Sequence, residues 1–156
     1  GASDDGSGGG VVRIETGSLT LDGELRAGGS AAIGAGSSGG AGGGIFVRAG
    51  SFVGGTAAVL RADGGDGGYF LQTKYSGEGG GGRIAVWYGM DNGAAAQFMA
   101  GHAPYGLETP SNCPTFAGTV SVTNGLGVYT TPTNAGTPGS IVFFTIRSSG
   151  VLLMVH

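Results

Sequence analysis

The sequence predicts an all-β protein, a glycine-rich β-solenoid or stacked-sheet repeat with Gly-rich extended segments and little or no helix. Three observations lead there. Glycine supplies 38 of the 156 residues, about three times its usual share. Three glycine triplets, starting at Gly8, Gly42 and Gly80, recur at about 34 to 38 residues, which suits one solenoid unit or a pair of short coils. Behind each triplet, apolar and polar residues alternate with the period of two that marks a half-buried strand.

The glycine excess sets the physical problem. Glycine loses more backbone freedom on folding than any other residue and gives no side chain to a core, so the chain must recover stability from dense backbone hydrogen bonding. Regular stacking of strands supplies it. With 40% hydrophobic and 11% charged residues, the composition lies far from that of disordered chains. Collagen is excluded because glycine does not recur at every third position and there are 5 prolines. A net charge of -3, with no cluster of Lys or Arg, argues against nucleic acid. The apolar runs fall well short of the ~20 residues of a membrane-spanning helix.

The first copy reads VVRIETGSLTLDGELRAGG (residues 11–29). Val12, Ile14, Leu19, Leu21 and Leu25 share one face, and Arg13, Glu15, Thr20, Asp22 and Glu24 the other. Gly17, Ser18 and Gly23 break the step and mark turns or bulges. The second copy is IFVRAGSFVGGTAAVLRADGG (residues 45–65), and the third is RIAVWYGMDNGAAAQFMAGHA (residues 83–103). Each predicts two strands. Residues 30–41 and 66–79 lie between copies and read either as flexible linkers or as extended glycine segments packed against a neighbour. From Gly106 onward Pro, Thr and Ser enter and the triplets stop, which divides the chain into a repeat region, 1–105, and a C-terminal part, 106–156. That part returns to strands at 116–122, 140–146 and 151–155, the middle one resembling a degenerate fourth copy.

The segments GGGVVRIETGSLTLDGELRAGG and GGGGRIAVWYG resemble the glycine-rich β-solenoid repeats of large secreted bacterial surface and adhesin-like proteins, over roughly residues 6–105. The resemblance implies a structural or adhesive role outside the cell or at its surface. The start, Gly1-Ala2-Ser3-Asp4-Asp5, fits a processed chain or an excised fragment.

Site chemistry is sparse. Gly34, Gly36 and Gly39 have the spacing of a dinucleotide loop, but no helix is expected after them. Asp63 and Asp66 offer carboxylates to Ca²⁺ without the repetition of a calcium solenoid, so a solvated turn is the simpler expectation. Asp63, Asp66 and Glu78 are candidates for a polysaccharide-cleaving carboxylate pair that sequence does not bring together. His102 has no triad partners in sequence, and Cys113 reads as a small buried apolar residue. No catalytic residue, metal or cofactor is assigned. Tyr69, Tyr75, Trp87 and Tyr88 are candidates for stacking on a sugar, against the plainer expectation that aromatics fill the core.

The apolar C-terminal strands carry the functional expectation. Ile141, Phe143, Val151, Leu152, Leu153, Met154 and Val155, left open, would aggregate unless they complete a neighbouring subunit's sheet. The leading expectation is therefore a non-enzymatic extracellular subunit that binds copies of itself head to tail. A glycan-binding adhesin module is the alternative, and a polysaccharide-degrading enzyme stands a distant third.

Overall fold

The structure, a computed structural model, describes residues 4–34, 36–68, 76–127 and 135–146. It is mainly β with one short helix. In chain order the elements are β1 (Val11–Leu21), β2 (Glu24–Arg26), β3 (Gly44–Gly54), β4 (Val59–Arg61), β5 (Arg83–Tyr88), α1 (Asn92–Met99), β6 (Leu107–Glu108), β7 (Thr119–Ser121) and β8 (Ser140–Ile146).

Among the described residues the strands form two sheets, and the chain alternates between them from β1 to β5 and again from β6 to β8. One has the order β1-β3-β5-β8-β6, the other β2-β4-β7. Every pairing is parallel except β6 with β8. Registers repeat from strand to strand. Val11 pairs with Gly44, Gly44 with Arg83 and Arg83 with Ser140, while in the smaller sheet Leu25 pairs with Leu60 and Leu60 with Val120.

The alternation in sequence fixes which face is buried. Ile45, Val47, Phe52, Leu60, Ile84 and Val86 are almost fully enclosed, each contributing about 1.5–3 kcal/mol relative to exposure. In β1 the same columns end on Val12 and Leu19, which are only partly covered. The predicted break at Gly17 is a real interruption: pairing runs from Thr16 with Ala49 to Ser18 with Ser51, and the inward parity changes across it. There the Ser18 and Ser51 hydroxyls meet at 2.7 Å.

The third copy departs from expectation. Where a second strand is predicted, residues 92–99 form α1. Asp91 caps it, its Oδ1 accepting from the Ala94 N–H at 2.7 Å, and the Ala94-Ala95-Ala96 run favours helix. Gly101 follows at φ 82°. The helix lies on the outside of the larger sheet, with Phe98 against Trp87 and Phe144.

The glycine-rich segments lie side by side and hydrogen-bond to one another. Gly9 donates to Ala41, Gly42 to Gly80 and Gly81 to Thr137, while Gly43, Gly82 and Gly139 donate across to Ala27, Ala62 and Val122. Residues 38–43 therefore belong to the packed structure and are not a free linker. A Cβ on Gly42 would run into the Ala62 carbonyl, and one on Gly81 into that of Val122. Chains this close admit no side chain, which accounts physically for much of the composition.

Candidate functional site

Trp87 sits at the centre of an aromatic cluster. It meets Phe46 edge-on at 5.0 Å, Phe98 at 4.6 Å and Phe144 at 6.0 Å, and only 9% of it is exposed. It therefore offers no open face to a sugar ring, and its role is packing between β3, β8 and α1. Its Nε1 is buried without a hydrogen-bond partner among the described residues. Tyr88 is partly buried against the core, and burial, reinforced by the charges of Cys113 and Glu108, raises its phenol above the ordinary value. The two do not form one platform. Tyr69 and Tyr75 lie outside the described residues.

The candidate acids serve the backbone. Asp63 Oδ1 accepts from the Ser121 hydroxyl at 2.6 Å and the Thr123 N–H at 2.8 Å, and its Oδ2 pairs with Arg61 at 2.7 Å. Burial alone would raise its pKa, but the hydrogen bonds from Ser121, Thr123 and Arg61 outweigh it and hold the carboxyl below its usual range. Asp66 accepts from the Leu126 N–H at 2.6 Å, Asp5 from the Ser38 N–H at 2.8 Å, and Glu78 from the Gly127 and Gly136 N–H groups. These carboxylates tie one glycine segment to the next. Asp66 is exposed and Asp63 half-buried, and each also reaches a chain segment about sixty residues onward. Cys113 is buried, its Sγ 3.2 Å from the Thr115 hydroxyl.

On the outer face, Glu15 bridges Arg13 at 2.5 Å and Arg48 at 2.6 Å. Hydrogen bonds from Arg48 and then Arg13 hold its carboxyl below the ordinary value. Arg48 also donates to Asn92 at 2.9 Å, linking β3 to α1, and the Arg13 guanidinium lies 5.5 Å from the Phe46 ring centre. A groove of about 320 Å³ opens here between the strands and the helix. Its charged groups already satisfy each other.

What remains open is the ends of the sheets. Phe143, expected at an assembly interface, is instead 5% exposed and part of the chain's own core, because β8 pairs along β5 and turns Phe143 inward beside Val86. Ile141 occupies the last place in the Ile45–Ile84 column and is 39% exposed. Val151, Leu152, Leu153, Met154 and Val155 lie outside the described residues. The sequence reading missed the opposite end. There β1 is an eleven-residue edge strand with no partner on its outer side among the described residues, and Val11 is 82% exposed. The signal was available in the glycine triplet ahead of Val11, the same as those ahead of β3 and β5.

No family model matches the chain, and no curated protein or solved structure matches it either.

Proposed function

We propose that this chain is a non-enzymatic structural module of β-solenoid type, a subunit of an extracellular filament or surface matrix that assembles with copies of itself through main-chain contacts at its strand edges. The observation that carries this reading is the long β1 edge, unpaired among the described residues, whose parallel register is the one already used between β1 and β3. Soluble proteins blunt such edges with Pro, Lys, bulges or a covering element. β1 carries neither Pro nor Lys, though it bears the exposed Arg13 and Glu15; its break at Gly17 leaves the register with β3 unchanged, and α1 packs on the sheet's face, not over this edge. The solenoid description draws on the alternation of strands β1 to β5 between two sheets whose pairings, β6 with β8 apart, are parallel, and on the glycine segments that link them. The extracellular setting follows from the resemblance of the repeats.

An enzymatic reading gains nothing from Asp63, Asp66 or Glu78, whose oxygens are engaged with backbone amides. A glycan-stacking reading gains nothing from the buried Trp87. The mass of the purified chain, measured by light scattering over a hundredfold concentration series, is expected to rise continuously with concentration. A constant monomer mass contradicts the proposal.

A further inference from the structure

We infer that copies of this chain join by parallel strand addition, residues 139–144 of one copy pairing with residues 10–15 of the next, with Gly10 as the residue that lets the two backbones approach. The inference rests on the assembly proposed above and specifies its contact. Gly10, Gly43, Gly82 and Gly139 each precede a paired position in the larger sheet, where Val11, Gly44, Arg83 and Ser140 lie in register. They therefore form a column. A Cβ on Gly43 would strike the Gly10 carbonyl, one on Gly82 the Gly43 carbonyl, and one on Gly139 the Gly82 carbonyl. A Cβ on Gly10 meets no described atom within 4 Å, and Gly10 is not among the positive-φ glycines. Neither space nor backbone conformation in the single chain demands glycine there. The rule of the column demands it as soon as another carbonyl stacks on β1.

The hydrogen bonds say which carbonyl fits. Gly44 donates to Gly10 at 3.0 Å, Arg83 to Gly43 at 2.8 Å and Ser140 to Gly82 at 3.0 Å. Each strand's first N–H thus bonds the glycine carbonyl of the strand before it. The next step in the series is the Val11 N–H of one copy donating to the Gly139 carbonyl of another.

The side chains give an independent match. The column Val12–Ile45–Ile84–Ile141 is sealed in the middle and open at both ends, with Ile141 39% exposed and Val12 half-buried. Parallel addition in the same register sets Val12 on Ile141 and brings Ile14 level with Phe143, which its own chain already buries. The contact ends at Phe144, because β6 occupies the β8 edge from Thr145 onward. Two different surfaces meet, so the contact is head to tail and can repeat from copy to copy.

Sedimentation velocity on the full chain tests this, comparing wild type with Gly10→Ala, Ile141→Asp and Gly44→Ala. Gly44 also has open space for a Cβ but lies inside the sheet. Wild type and Gly44→Ala are expected to associate alike. Gly10→Ala and Ile141→Asp are expected to weaken association at least tenfold, with the Gly10→Ala chain melting at the wild-type temperature. A folded Gly10→Ala chain that associates like wild type overturns this contact and leaves assembly standing. A Gly10→Ala chain that fails to fold contradicts the open space on which the inference depends. A wild type that stays monomeric overturns both the contact and the proposed function.

Discussion

At the scale of single residues, glycine acts here by position. Gly44 opens β3 and Gly82 lies just ahead of β5, yet a Cβ on Gly82 would collide with the Gly43 carbonyl while one on Gly44 meets only open space. A backbone carbonyl held in a sheet cannot swing aside as a side chain can. Gly82→Ala is therefore expected to cost about 3 kcal/mol or more. Gly44→Ala is expected to stay within about 1 kcal/mol of wild type and to favour folding slightly by stiffening the unfolded chain. Urea unfolding of the two variants separates them, and equal destabilisation would show that close backbone approach does not set the composition. Asp63 gives a second prediction at this scale. Its folded pKa lies below the unfolded 3.8, so the stability it contributes is fully present above that value and is lost as the pH falls through the lower folded one. Thermal melts between pH 6 and pH 2 are expected to show a fall in stability toward acid that is shallower in Asp63→Asn. Neither role was legible in the sequence. Carbonyl contacts are made between residues far apart along the chain, and Asp63 bonds Thr123 because β4 and β7 are neighbours, which no local pattern around Asp63 encodes.

Among the elements, the strands were the legible part. Period-two alternation located β1, β3 and β5 and placed Val12, Ile14, Leu19, Leu21 and Leu25 on one side, and the 140–146 segment coincides with β8. Their order in the sheets was not legible, because alternation records which face is buried and is silent on which strand lies alongside. The helix escaped for a different reason. Alignment of the third copy with the first two favoured a strand, while the helical signal at residues 91–99 is confined to the Asp91 cap and a short alanine run. Tertiary packing of Phe98 on Trp87 completes it, consistent with helices of this length needing support from the rest of the fold. Asp91→Ala is accordingly expected to cost about 1 kcal/mol and to speed amide exchange in α1 while leaving that of β3 and β5 unchanged. Uniform acceleration across the sheet would mean that the helix is integral to the core and not an addition to its outer face.

At the scale of the whole molecule, the same register carries through four strands of one sheet, and the features that join them inside the chain recur at its two ends. The sequence reading located the assembly surface in apolar C-terminal residues because hydrophobicity is visible in one dimension. The open β1 edge is a property of strand order, and Phe143 is apolar because it is buried within its own chain. If copies continue the stack, the four strands β1, β3, β5 and β8, spaced by about 4.8 Å each, advance the filament by about 19 Å per copy. Electron microscopy of assemblies grown from the purified full chain measures that rise directly. An axial repeat near 19 Å per subunit, with strands perpendicular to the filament axis, is the predicted result; dispersed monomers, or filaments whose strands run along the axis, would contradict it.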